Sequence, residues 1–136
     1  MGVCIFVASG VDFDVDDYLP GSPFKPAGVF HKGEIPKKSN PRSLPRDDSG
    51  FTVLVSETPD PGLSRQTEQC LAFLIQHERV LVALKKAGAD NMLMHFGTQA
   101  TDDVEQFTYL PPTLLLAMAR FSMGLVFSSV RIPQGQ

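Results

Sequence analysis

Apolar positions in this chain fall into short stretches bounded by glycine, proline or charge. Residues 3–8, VCIFVA, are apolar throughout and β-branched at three positions, which predicts a buried strand. GVFHKGE, residues 28–34, predicts a strand leading into a turn at Gly33. The alternating, β-branched FTVLVSE of 51–57 predicts another. NMLMHFGTQ, 91–99, predicts a fourth strand, with Gly97 a candidate bulge, and LVFSSVRI, 125–132, a fifth. A second periodicity marks the helices. DVDDYL, 14–19, predicts a short one stopped by Pro20 and Gly21. Cys70, Phe73, Leu74, His77, Leu81 and Leu84 recur at helical spacing and define one apolar face. They predict a single helix from a Ser64 cap to about Ala87. Lys85 and Lys86 fall where the dipole favours cations, and Gly88 falls at C′. Pro112 opens the last helix, TLLLAMARFSM, which Gly124 ends.

The order β-α-β-(loop)-β-α-β-α-β predicts one α+β domain over residues 1–136. Its β-α-β-β-α-β part has the ferredoxin-like pattern, extended by a C-terminal α-β. Helices are expected on one face of a mainly antiparallel sheet. Between them stands a long basic loop at about 31–50. Its segment IPKKSNPRSLPRDDSG holds three prolines and three serines.

Composition narrows the class. The 136 residues are 43% apolar and 20% charged, an ordinary globular balance with enough chain for a core. A net charge of −3 argues against general nucleic-acid or membrane-surface binding. No apolar run reaches the length of a membrane span. The start, MGVCIFVASG, has no basic region, so no signal peptide is expected, and Phe6 replaces the Ser or Thr of a myristoylation motif. Cys4 and Cys70 form no CxxC and read as core residues. A disulfide between them is unneeded, and reduced cytoplasmic thiols are expected.

The densest chemistry is VDFDVDDYLPG, residues 11–21. Counted from Asp12 as a calcium loop, the sixth position is Asp17 where glycine is needed, and the twelfth is Pro23 where a bidentate Glu is needed. As a helix start it is coherent. Asp14 is the N-cap, Asp16 and Asp17 face the positive end of the dipole, and Phe13 staples onto Tyr18. The DD pairs at 47–48 and 102–103 read as turn residues. Of the histidines, His77 reads as a core residue and His31 adjoins a turn. His95 lies on the opposite strand face from Met94 and Phe96. A Ser56–His95–Asp90 triad is formally available, but no GxSxG motif supports a nucleophile. No catalytic residue, metal site or cofactor is assigned.

The basic segment has two readings. Lys25, Lys32, Lys37, Lys38, Arg42 and Arg46 stand against one acid, Glu34, so it is +5 and the rest of the chain −8. It is either a solvated loop or a patch facing an anionic partner. Without interleaved aromatics or a phosphate-binding loop, an acidic protein is the better partner and nucleic acid is not expected.

SGFTVLVSE (49–57), QTEQCLAFLIQHERVLVAL (66–84), HFGTQ (95–99) and YLPPTLLLAMARFSMGLVFSSV (109–130) together resemble a group of small uncharacterised bacterial proteins, a domain of unknown function. The chain reads MHFG where the group often reads LDFG. The resemblance implies bacterial origin and cytoplasmic location and lends no activity. An immunity-type role, blocking a partner toxin, follows by analogy alone. The expectation is therefore a non-enzymatic protein-binding domain that presents its basic loop and a sheet face. A homodimer is one assembly such a sheet permits. The alternative is a regulatory domain binding a small molecule or anion through Ser56, His95 and Ser129 at its strand ends. A metal-assisted hydrolase using His95, or Asp14 and Asp16, is the third reading.

Overall fold

A computed structural model describes residues 1–35, 44–59, 62–99 and 107–130. The strands are β1 (Gly2–Gly10), β2 (Gly28–Phe30), β3 (Ser49–Thr58), β4 (Asn91–Gln99) and β5 (Gly124–Val130). The helices are α1 (Val15–Tyr18), α2 (Ser64–Gln76), α3 (Glu78–Lys86) and α4 (Pro112–Arg120), with a 3-10 turn at Leu19–Gly21. The fold is α+β around one open, mixed sheet ordered β2-β3-β1-β4-β5. β2/β3, β3/β1 and β1/β4 are antiparallel. β4 and β5 are parallel, as a crossover through α4 requires.

Period-2 alternation decides what each strand buries. Cys4, Phe6 and Ala8 of β1, Phe51 and Val53 of β3, and Met92, Met94 and Phe96 of β4 are buried. They share one core with Cys70 and Leu74 of α2, Leu81 and Leu84 of α3, and Leu114 and Met118 of α4. Burying each large apolar side chain contributes about 1.5–3 kcal/mol. Aromatic rings fill its centre. Phe6 stands 6.0 Å from Phe24, 6.3 Å from Phe51 and 5.4 Å from Phe73, measured between centroids. The intervening residues, Val3, Ile5, Val7, Thr52 and Leu93, stay half-buried, and Leu54 is exposed. The sheet therefore has a closed face and an open one.

One irregularity changes the phase. Cys4 pairs with Ser56 but Ile5 pairs with Leu54, so Val55 is an extra residue in β3. The bulge turns Ser56 inward beside Cys4 and keeps Leu54 outward. The bulge expected at Gly97 is absent, because Gly97 pairs regularly with Val3. Its missing side chain serves close approach instead, since a Cβ there would lie 2.8 Å from Val3 Cγ1.

The single helix expected over 64–87 is two. His77, at φ −106° and ψ 20°, ends α2 and precedes α3. Its ring packs against Phe73 (4.6 Å) and Phe24 (5.2 Å), and burial lowers its pKa. Ser64 is the first helical residue and not the cap; Leu63 holds that position without a side-chain hydrogen bond. Gly88 takes the left-handed φ of 115° expected after α3. Helix α4 stops at Arg120, short of Gly124. Ser122 adopts φ 53°, donating to Ala119 O at 3.0 Å while Met123 N donates to Met118 O at 3.0 Å. These two bonds form a Schellman closure with serine where glycine is usual, which frees Gly124 to begin β5.

Both cysteines are free and fully buried. A hydrogen bond with Cys70, reinforced by burial, pushes the Cys4 thiol far up. Among the described residues no helix is long and apolar enough to cross a membrane.

Candidate functional site

The aspartate segment folds as a helix start. The Asp14 carboxylate accepts from Asp17 N at 3.1 Å, and Phe13 packs on Tyr18 at 5.5 Å. Asp16 has a partner the sequence did not indicate. His31, on the turn after β2, directs Nε2 at the Asp16 carboxylate (2.9 Å to Oδ2) and Nδ1 at Glu34. Hydrogen bonds to Asp16 and then Glu34 raise the His31 pKa, and the ring clasps α1 to that turn. The two ring nitrogens face opposite directions and cannot converge on one ion. Among the described residues no group of three or more His, Cys, Asp or Glu side chains is arranged to hold a metal ion.

The ends of the long loop are fixed to each other. Gly33 N donates to Arg46 O and Arg46 N donates to Glu34 O, each at 2.8 Å. Lys32 N donates to Ser49 Oγ at 2.8 Å. This pairing carries Arg46 over the Phe30 ring, with its guanidinium carbon 4.3 Å from the centroid. Phe30 pairs with Gly50, and a Cβ on Gly50 would lie 2.7 Å from the Phe30 ring. The ring thus lies over the open sheet face, and Arg46 sets a positive charge at its margin. Lys25 and Lys32 are exposed. Lys37, Lys38 and Arg42 lie outside the described residues. Between residues 25 and 48, the described bases Lys25, Lys32 and Arg46 are matched by Glu34, Asp47 and Asp48, so the excess charge rests on those three.

Ser56, His95 and Ser129 do not converge. Ser56 is buried by the bulge and donates to Gln69 Oε1. His95 is half-buried on the open face, with Nε2 2.7 Å from Ser128 Oγ. Ser129 is exposed and, one residue on, points to the other side of β5. Ser56 and His95 therefore lie on opposite faces of the sheet, and the triad with Asp90 does not assemble. The serine paired with His95 is Ser128, which only the parallel β4/β5 register brings close. A shallow hollow of about 250 Å³ beside it is lined by Thr98, Thr108, Phe127, Ser128 and Ser129, and His95 is not among its walls. Another, of about 290 Å³, lies between Gly62–Ser64, at the start of α2, and Phe107–Tyr109.

The broadest chemical feature is the open face itself. Val3, Ile5 and Val7 form its middle row, Leu54 and Leu93 flank them, and Arg46 on Phe30 marks one margin. Leu54 is 47% exposed. Such a surface can exclude water under another macromolecule while a fixed cation sets the charge preference. The sequence concealed it, because VCIFVA is apolar on both sides and gives no contrast between faces. Compared with models of known protein families, with curated proteins and with solved structures, the chain matches none.

Proposed function

We propose that the chain is a non-enzymatic protein-binding domain that meets an acidic partner with the open face of its sheet. The carrying observation is the partly buried apolar row Val3, Ile5 and Val7 beside the exposed Leu54, bordered by the Arg46 guanidinium held on Phe30. Apolar area supplies the affinity, and Arg46 with the basic loop supplies preference for an acidic surface and faster encounter. The separation of Ser56, His95 and Ser129 weighs against the small-molecule reading. The strand order β2-β3-β1-β4, antiparallel at each step, supports a ferredoxin-like core, with β4-α4-β5 as its extension and the helices as one layer. An immunity-type role in a bacterial cytoplasm belongs to the same proposal.

The test is capture from a bacterial extract on the immobilised chain, followed by identification and purification of the captured protein. Titration then compares the native chain with Leu54→Arg, Arg46→Glu and a Lys37→Glu/Lys38→Glu/Arg42→Glu variant. Ile75→Arg, on the exposed side of α2, is the control. An acidic partner whose affinity falls about tenfold or more with each of the first three, and not with the control, supports the proposal. Equal affinity for all variants, or loss only with Ile75→Arg, overturns it.

A further inference from the structure

The two edges of the sheet are built differently. β2 has three residues, with Pro26 and Lys32 nearby and Arg46 over Phe30. Short length, proline and positive charge are the usual means of discouraging strand addition. β5 has none of them within its span, and the nearest charge and proline after it in sequence are Arg131 and Pro133, beyond its end. Its seven residues, GLVFSSV, carry no charge and no proline. It ends the strand order, so among the described residues its outer backbone edge pairs with no strand. Its side chains are exposed on both faces: Leu125 37%, Val126 41% and Phe127 48%. Phe127 stacks on Phe96, rings 5.6 Å apart. Helix α4, the crossover into β5, buries Leu114 and Met118 but leaves Leu115 45% and Leu116 71% exposed.

Charge is absent from this region to an unusual degree. Residues 107–130 contain one charged side chain, Arg120, and it is ion-paired with Glu78. A two-fold axis sets each side chain against the same surface of its partner, so a charged patch repels itself. An uncharged one meets its copy without that penalty. We propose that a second copy of this chain docks on the β5 edge. The two β5 strands run antiparallel across a two-fold axis and join the sheets, while the α4 helices meet alongside. Edge pairing over seven residues alone falls short of the roughly 800 Å² per partner of a stable interface. Leu115, Leu116 and Phe127 supply the additional apolar area. This surface includes neither Arg46 nor Leu54, so it stands independently of the partner-binding reading.

Sedimentation equilibrium of the full chain across a concentration series tests it. The expected mass rises with concentration towards twice 14.9 kDa. Val126→Lys places a charge on the edge, and Leu116→Lys places one on the exposed side of α4, where folding is least affected. Each weakens the dimer about tenfold or more, while Leu54→Lys on the open face leaves it unchanged. Phe127→Cys, placed near the axis, forms an interchain disulfide under mild oxidation, and Ile75→Cys does not. A monomer at every concentration overturns the proposal. So does a dimer that persists in both lysine variants, or one that Leu54→Lys dissociates.

Discussion

If the sheet has one closed and one open face, truncating adjacent strand positions costs very different amounts. Phe6 and Leu54 sit on paired strands, on opposite faces. Phe6 is 0% exposed, with the rings of Phe24, Phe51 and Phe73 around it at 5.4–6.3 Å. Phe6→Ala loses the transfer free energy of the ring and leaves a cavity that three other rings hold open. The expected cost is about 3–5 kcal/mol. Leu54 is 47% exposed, so only about half of the roughly 1.5–3 kcal/mol of full burial is at stake, and water fills the gap. Leu54→Ala should cost about 1 kcal/mol. For a domain stable by about 5–15 kcal/mol the first change is severe and the second minor. Urea unfolding followed by far-UV circular dichroism measures both. At a slope of about 2 kcal/mol/M the midpoint falls by roughly 2 M for Phe6→Ala and 0.5 M for Leu54→Ala, with the slope unchanged. A Leu54→Ala cost as large as that of Phe6→Ala would show that the face is covered, and would refute the reasoning.

Two histidines give stability a pH dependence of opposite signs. The raised His31 pKa stabilises fully below the unfolded value of about 6.5, and that contribution disappears as pH rises through the folded value. The lowered pKa of His77 makes the unfolded chain take up a proton first, so stability falls as pH drops from about 6.5 through its folded value. In thermal melts across this range, His31→Gln should remove the alkaline-side loss and His77→Phe the acid-side loss. Asp14→Ala should cost about 1 kcal/mol through the lost N-cap, with Asp12→Ala within about 0.5, both measured by urea unfolding. Gly10→Ala places a Cβ 1.9 Å from Gly88 O and must force β1 away from the turn after α3. It should destabilise by more than about 3 kcal/mol, visible as a midpoint shift in the same assay.

Much of the architecture was legible because local signals agreed with it. The strand positions followed from apolar runs bounded by Gly and Pro, and the Asp14 cap, the Phe13–Tyr18 staple and Gly88 from local rules. The misreadings arose where tertiary contacts decide. Nothing local in QHER marks a helix break; His77 leaves the helical path where its ring packs between Phe24 and Phe73. The bulge at Val55 shifts the alternation of FTVLVSE after Leu54, so Ser56, a candidate ligand residue by sequence, is committed to Gln69 in the interior. The His95–Ser128 pair depends on a parallel register between residues 33 positions apart. The open face was hidden because Val3, Ile5 and Val7 look like core residues, whereas the fold leaves them only partly buried. In the sequence Arg46 stands out by its charge alone, whereas its stack on Phe30 is what fixes it in place.

Mapping amide chemical-shift changes on the isotope-labelled chain as the captured acidic partner is titrated tests the binding-face account most directly. The account predicts that shifts concentrate at Val3, Ile5, Val7, Phe30, Arg46, Leu54 and Leu93. Shifts confined to α2 and α3, or to the Asp16–His31–Glu34 clasp, would contradict it.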